Sequence, residues 1–246
     1  MSLPVHLVDD LAEAATGDLI AVDGDEGHHA VAVRRLKVGE RVVLTDGRGS
    51  SVTGEIVETS KRAMQVRADE VTRVPPLEPA FTVVQALPKG ERGELAVEVM
   101  TEIGVSTVVP WAATRSIVSW KGERGLKPLT RWRSTAREAA KQARLAWFPE
   151  VTDLAQTAQV VERIASAQMA IVLWESATRP MSDLVLPESG EIVLLIGPEG
   201  SFTSEEIAAF EEAGAISVKM GAEVLRTSTA GLAATAALLS RTPRWG

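Results

Sequence analysis

The stretch IVLLIGPEGSF, Ile192 to Phe202, decides the fold. Consecutive apolar residues from Ile192 to Ile196 run into a turn containing Gly197, Pro198 and Gly200, and TSEEIAAF follows at once. Glu206 stands three residues after Thr203, the spacing of a reciprocal helix N-cap, so a helix opens at Thr203 or Ser204. A strand without polar alternation is covered on both faces, as in parallel sheets flanked by helices. Such a strand-to-loop-to-helix joint, at the carboxyl edge of the sheet, is where α/β proteins usually bind ligands. The turn lacks the lysine and hydroxyl residue of a phosphate loop and the glycine spacing of a dinucleotide fingerprint. Taken alone it is a weak signal, and a plain tight turn is the better reading.

The same alternation recurs on both sides of this segment. FTVVQAL precedes ERGELAVEVMTEIG; STVVPWA precedes LTRWRSTAREAAKQARLAW; MAIVLW stands before EIVLLIG; and ISVKMG precedes TSTAGLAATAALLS. This order predicts a mostly parallel α/β domain over residues 80–246. The first 75 residues read differently, as short strands (LIAVDG, RVVLTDGRGS, SVTGEIVE, MQVRADEV) with one helical stretch near EGHHAVAVRRL. Pro75, Pro76 and Pro79 interrupt any ladder or helix between the two and mark a stiff linker.

Composition excludes several chemistries. The chain has 246 residues, 45% hydrophobic and 24% charged, enough for one large or two modest cores. Without cysteine there is no disulfide framework, thiolate metal site or cysteine nucleophile, which fits a reducing cytoplasm. The three histidines, His6, His28 and His29, leave little for a metal cage or a catalytic triad, and no metal is expected. Acids near the N-terminus and the lack of a long uncharged apolar stretch predict a cytoplasmic protein, neither exported nor membrane-spanning.

Charge is uneven. The net charge is −7, yet Trp111 to Trp147 holds nine cations against two acids, so a polyanion is expected to meet this segment. Arg133, Arg137 and Lys141 are spaced by four and share a helix face, with Arg144 close by. Arg34, Arg35, Lys37, Lys89, Arg92 and Arg115 are further candidate phosphate contacts. The competing reading is a solvated helix face. Near the C-terminus, the helix Thr227 to Ser240 is built of small residues, which either pack tightly on their own sheet or admit a second subunit.

GPEGSF, KMGAEVLRTSTA, KGERGELAVEVMTEIGV, RWRSTAREAAKQARLAWFPEV and HHAVAVRRLKVGERVVLTDGRG occur here in the order seen in one family. The chain resembles the bacterial 16S ribosomal RNA uridine N3-methyltransferases of the RsmE type, in the SPOUT superfamily. The resemblance implies a PUA-like β-barrel for RNA binding over residues 1–75. It implies an α/β methyltransferase domain with a deep trefoil knot over residues 80–246. It also implies S-adenosylmethionine as cofactor, 16S rRNA of the small ribosomal subunit as partner, and a homodimer.

Carried over by position, the cofactor loops fall at Leu173 and Trp174; at Ile196, Gly197, Pro198, Glu199 and Gly200; and at Met220, Gly221, Leu225, Arg226 and Thr227. Arg226 is the candidate cation at the developing uracil oxyanion, and Glu199 a candidate proton acceptor that equally suits a turn or cap. Three positions depart from the family pattern. Ser201 replaces a glycine and so needs a backbone angle open to other residues. Ser228 replaces an acid but should still start a helix. An arginine common near the start is absent, with His6 nearby. Two rival readings stay open: a non-catalytic RNA-binding or assembly protein, and a SPOUT enzyme acting on transfer RNA or a ribose hydroxyl.

Overall fold

The computed structural model describes residues 3–120 and 122–245, with the side chains of residues 123 and 124 outside the described set. The chain divides into two compact units, Met1–Pro76 with Ala140–Phe148, and Leu77–Ala139 with Pro149–Gly246.

The first unit contains β1 (Val5–Leu7), β2 (Leu19–Val22), α1 (Gly24–His28) continuing into a π-helical turn at His29–Val33, β3 (Arg41–Thr45), β4 (Ser50–Thr59) and β5 (Met64–Arg73). Its sheet runs β1-β3-β4-β5-β2, antiparallel except for the parallel β1–β3 edge. Along β4, Ser50, Val52, Gly54 and Ile56 are buried and their neighbours are not, the period of two that one covered face imposes. Val42, Leu44, Val52, Ile56, Met64 and Val66 fill the core. The sheet is a half-barrel of mixed strand direction, consistent with the PUA-like module that the resemblance implies: β1 and β2 end it, and no pairing joins them among the described residues.

Gly54 lies at a register shift between β4 and β5, where a Cβ would stand 2.2 Å from the Arg67 carbonyl oxygen. That neighbour is backbone and cannot swing aside. Gly54→Ala is therefore expected to lose about 2 kcal/mol in urea unfolding; a loss under about 0.5 kcal/mol would mean that the strands part freely there.

The segment Ala140–Phe148 belongs with this first unit, which its position in the sequence does not suggest. Gly49 N–H donates to the Ala146 carbonyl at 2.9 Å, Phe148 N–H to the Gly47 carbonyl at 2.8 Å, and Trp147 Nε1 to the Val74 carbonyl at 2.8 Å. Gly49, at φ +96°, is required there twice over, because a Cβ would meet Trp147 at 2.7 Å.

The second unit is strand and helix in turn. It comprises β6 (Ala80–Ala86), α2 (Arg92–Glu102), β7 (Thr107–Trp111), α3 (Gly122–Ala143, its last four residues in the first unit), β8 (Glu150–Val151), α4 (Thr157–Ser166), β9 (Met169–Leu173), a 3-10 turn at Met181–Asp183, β10 (Glu191–Ile196), α5 (Ser204–Glu212), β11 (Ile216–Val218) and α6 (Thr227–Leu239). All neighbouring strands are parallel, in the order β11-β9-β10-β6-β7-β8. The decisive strand behaves as its composition requires. Ile192, Leu194 and Ile196 enter one core, while Val193 and Leu195 enter the other.

α3 starts ahead of the expected Leu129, with Pro128 inside it. α6 packs closely on its own unit: a Cβ on Gly231 would stand 2.7 Å from the Met100 sulfur of α2. Because β9, β10 and β11 are parallel neighbours, their carboxyl ends open on one edge, and the loops that follow gather there.

Candidate active site

Three loops at this edge surround a cleft of about 290 Å³. The loop after β9 supplies Leu173 and Glu175, the loop after β10 supplies residues 196–199 with Ser201 and Phe202, and residues 224–227 lead into α6 with Ala230. An adjoining cleft of about 250 Å³ shares Leu173, Glu175, Val224, Leu225 and Ala230 and adds Trp174, Lys219, Met220 and Gly221. Of the candidate cofactor residues, Leu173, Ile196, Gly197, Pro198, Glu199, Leu225, Arg226 and Thr227 thus border the first space, and Trp174, Met220 and Gly221 the second. Gly200 is set beneath Arg115 instead, where a Cβ would stand 3.0 Å from the Arg115 Cβ.

The second loop is shaped by identifiable forces. A Cβ on Gly197 would meet the Phe202 ring at 2.8 Å, so only glycine lets that ring close over the turn. Ser201 takes φ +61°, the small left-handed region that costs a non-glycine residue about 1 kcal/mol, and its Oγ donates to Glu175 Oε1 at 2.6 Å. Arg115 Nη1 donates to the carbonyls of Gly200 at 3.2 Å and Phe202 at 3.1 Å. The capping box forms as its spacing requires: Glu206 N–H donates to Thr203 Oγ1 at 3.1 Å, and Thr203 N–H to Glu206 Oε2 at 2.9 Å. The other Glu206 oxygen accepts from Thr114 N–H at 2.8 Å, fixing the loop after β7 to the same turn. Glu199 Oε1 accepts from Lys89 N–H at 3.1 Å, so this carboxylate ties the loop before α2 to the cleft.

α6 starts at Thr227, as expected, and Ser228 lies in its first turn. Arg226 is the N-cap residue, and neither Thr227 nor Ser228 caps the helix with its side chain. Both are buried, and the Thr227 carbonyl accepts from Gln85 Nε2 at 3.3 Å.

The candidate phosphate contacts separate into two groups. Arg34, Arg35, Lys37, Lys89 and Arg92 are exposed, as is Arg137, whose Nε donates to Glu138 Oε1 at 3.4 Å. Others have intramolecular partners: Arg133 donates to the Val151 carbonyl and to Asp153, Arg115 to the loop above, and Arg144 to the Leu3 carbonyl. Lys141 Nζ lies 2.6 Å from Glu26 Oε1 with its side chain only 10% exposed. The basic stripe on α3 therefore holds the protein together along part of its length.

Residues that sequence reasoning did not place at the site are Glu175, Ser201, Phe202, Val224 and Ala230 in the wall, and Glu206 behind it. Position beside the GPEG turn was the available signal for Ser201 and Phe202. Among the described residues no cluster of His, Asp or Glu is arranged to hold a metal ion, and no helix is long and apolar enough to cross a membrane.

Residues 76–239 match the family model of the RNA methyltransferase domain, and residues 22–69 that of the RNA methyltransferase PUA domain. The ribosomal RNA small subunit methyltransferase E of Mycobacterium tuberculosis is 42% identical over 234 residues, covering 94% of this chain and 89% of that protein. Its Bacillus subtilis counterpart is 28% identical, covering 90% of each. A solved Legionella pneumophila chain, described as a methyltransferase in complex with its bound cofactor SAM, superposes with a TM-score of 0.88 at 27% identity, over 98% of this chain and 99% of that one. A probable rRNA-methyltransferase from Porphyromonas gingivalis superposes with a TM-score of 0.81, also at 27% identity, over 97% of this chain and 98% of that one. From the glycine turn after β10 to the whole-length likeness, the sequence and the fold agree: the chain belongs to the ribosomal RNA small subunit methyltransferase E family.

Proposed function

We propose that this protein transfers a methyl group from S-adenosylmethionine to N3 of a uridine in 16S rRNA of the small ribosomal subunit. The observation that carries the reading is the convergence of three loops on one partly apolar cleft, in a chain of this family. The lining fits that cofactor. Leu173, Ile196, Leu225 and Ala230 offer apolar surface to a flat base, the turn from Gly197 brings main chain to the rim, and the carboxylates of Glu175 and Glu199 suit a ligand carrying a sulfonium and an ammonium. When bound, the cofactor supplies an electrophilic methyl group.

The chain's own residues supply the rest. N3 of uridine must lose a proton before it can attack, and Glu199 is the proposed acceptor. Arg226, at the cleft rim, can hold negative charge growing on a uracil carbonyl oxygen. Holding the partners in one geometry supplies about 7–11 kcal/mol of the barrier reduction. The absence of cysteine argues against carbon-5 methylation through a covalent adduct.

The loops of the second unit form a trefoil knot, and the first unit together with the exposed arginines binds RNA. The protein works in the cytoplasm without a metal and pairs as a homodimer. The half-buried face of α6 formed by Thr229, Leu232, Ala233 and Ala236 is the proposed subunit contact.

The test is transfer of tritiated methyl from S-adenosylmethionine to purified small subunits, followed by nucleoside analysis. Label in 3-methyluridine is the expected result. At 100 times its dissociation constant the cofactor should also stabilise the fold by about 2.7 kcal/mol. Label at a ribose or in transfer RNA, or no label despite cofactor binding, would replace this reading with one of its rivals.

A further inference from the structure

A more open hollow of about 780 Å³ lies next to the cofactor cleft, lined by Lys89, Gly90, Glu91, Arg92, Leu95 and Glu199. Among the described residues, Arg92 and Glu199 alone line both spaces. In a methyl transfer, donor and acceptor atoms approach to about 3 Å in line, so the two sites must adjoin without a residue between them. The wall carrying Arg92 and Glu199 is where these two spaces meet.

The hollow has the chemistry of a pyrimidine site. Leu95 is 45% exposed and offers apolar surface to a ring face. Arg92 brings a planar fork of N–H donors and a permanent positive charge. Two carbonyl oxygens flank N3 of uracil, and the charge left when N3 loses its proton spreads over both. Arg226 lines the first cleft and can meet one of them; Arg92 borders both spaces and can meet the other.

The backbone carrying Arg92 is held in place. Arg92 is the first residue of α2, and Gly93 after it lies so close to the buried Trp132 that a Cβ would stand 2.7 Å from the indole nitrogen. On the other side, Lys89 N–H donates to Glu199.

Resting on the methyl transfer proposed above, we infer that the Lys89–Leu95 hollow is the acceptor subsite, taking an unstacked uracil. Arg92 is a catalytic residue there that steadies the N3 anion. The N3 proton passes to a Glu199 carboxylate oxygen, the freed N3 pair forms the new N–C bond, and the pair of the broken S–C bond stays on sulfur.

The experiment compares the full-length protein with Arg92→Ala, Arg92→Lys and Leu95→Glu in methyl transfer to small subunits, with cofactor affinity measured on the same samples by equilibrium dialysis. Arg92→Ala is expected to lose about 100-fold in kcat, with cofactor affinity within about threefold of the parent. Arg92→Lys should recover part of the rate and need a higher pH to reach it, because a point charge steadies the anion less well than the fork. Leu95→Glu, on an exposed position, should raise KM for the subunit and leave cofactor affinity unchanged. A normal rate for Arg92→Ala, or a loss wholly in cofactor affinity, would overturn the inference. If the parent itself places no label on uridine N3, the underlying function fails instead; if the parent labels N3 and Arg92→Ala does so equally well, only the acceptor subsite fails.

Discussion

Glu206→Ala should remove about 4 kcal/mol from the stability of the folded protein and weaken cofactor binding at least tenfold. This carboxylate is 3% exposed and accepts backbone N–H bonds from Thr114 at 2.8 Å and from Thr203 at 2.9 Å. A hydrogen bond to a charged group contributes about 1.5–3 kcal/mol, and here truncation leaves two backbone donors without their acceptor. The cost to binding follows from position, since one donor starts α5 at the end of the cleft loop and the other belongs to the loop after β7. Glu206→Gln keeps one acceptor and sets an amide N–H₂ against the other donor, so about half of the loss is expected. Urea unfolding and equilibrium dialysis measure the two effects. A loss below about 1 kcal/mol for Glu206→Ala would show that neighbouring groups take over both bonds.

The second large effect concerns the pair Lys141–Glu26 in the first unit. Burial works against the Glu26 charge, raising its pKa, but contacts with His6 and Lys141 outweigh it and bring the group from 4.5 to about 2. His6 Nδ1 is 3.4 Å from the carboxylate, long for a hydrogen bond, whereas Lys141 is at 2.6 Å, so Lys141 is the stronger partner. A lowered native pKa means that the contribution is complete above the unfolded value of 4.5 and disappears as pH falls towards 2. That span corresponds to about 3 kcal/mol, an upper figure because Glu26 keeps 21% of its side-chain surface in solvent. Lys141→Met should therefore cost up to about 3 kcal/mol at pH 7, where it leaves a half-buried carboxylate without its main partner. At pH 2–3 it should cost far less. Urea unfolding of parent and variant at both pH values gives the comparison; equal losses at each pH would remove the ion pair from the account.

The parts legible in the sequence were those in which local chemistry and tertiary burial agree. β10 has no polar residue from Ile192 to Ile196 because both its faces enter cores, and α5 starts where Thr203 and Glu206 demand. α4 was not legible: within TAQVVERIAS only Val160 and Ile164 are buried, too few to declare a period. β1 is three residues long and gains its meaning only from pairing with β3. Pro128 hid the first turns of α3, since a proline reads as a boundary where the helix continues through it.

At the site, the turn and the loop after β11 were visible, but the contacts that shape them were not. Arg115 reaches a carbonyl 85 positions away, and Glu199 accepts from an amide 110 positions away. No local pattern encodes such a bond. The cationic stripe on α3 had the right spacing, but spacing could not show that Lys141 serves Glu26. Nor could composition reveal that Ser201 takes a left-handed backbone conformation.

The return of Ala140–Phe148 to the first unit has a consequence for how the chain is made. As the polypeptide leaves the ribosome, the N-terminal sheet can pair its strands early, but the hairpin between β3 and β4 waits for Ala146, Trp147 and Phe148 before its backbone groups find their partners. By then β6, α2, β7 and the whole of α3 have emerged. The first unit is thus completed only after the second has begun, and a cut at the proline linker would release an N-terminal fragment lacking the segment that closes it.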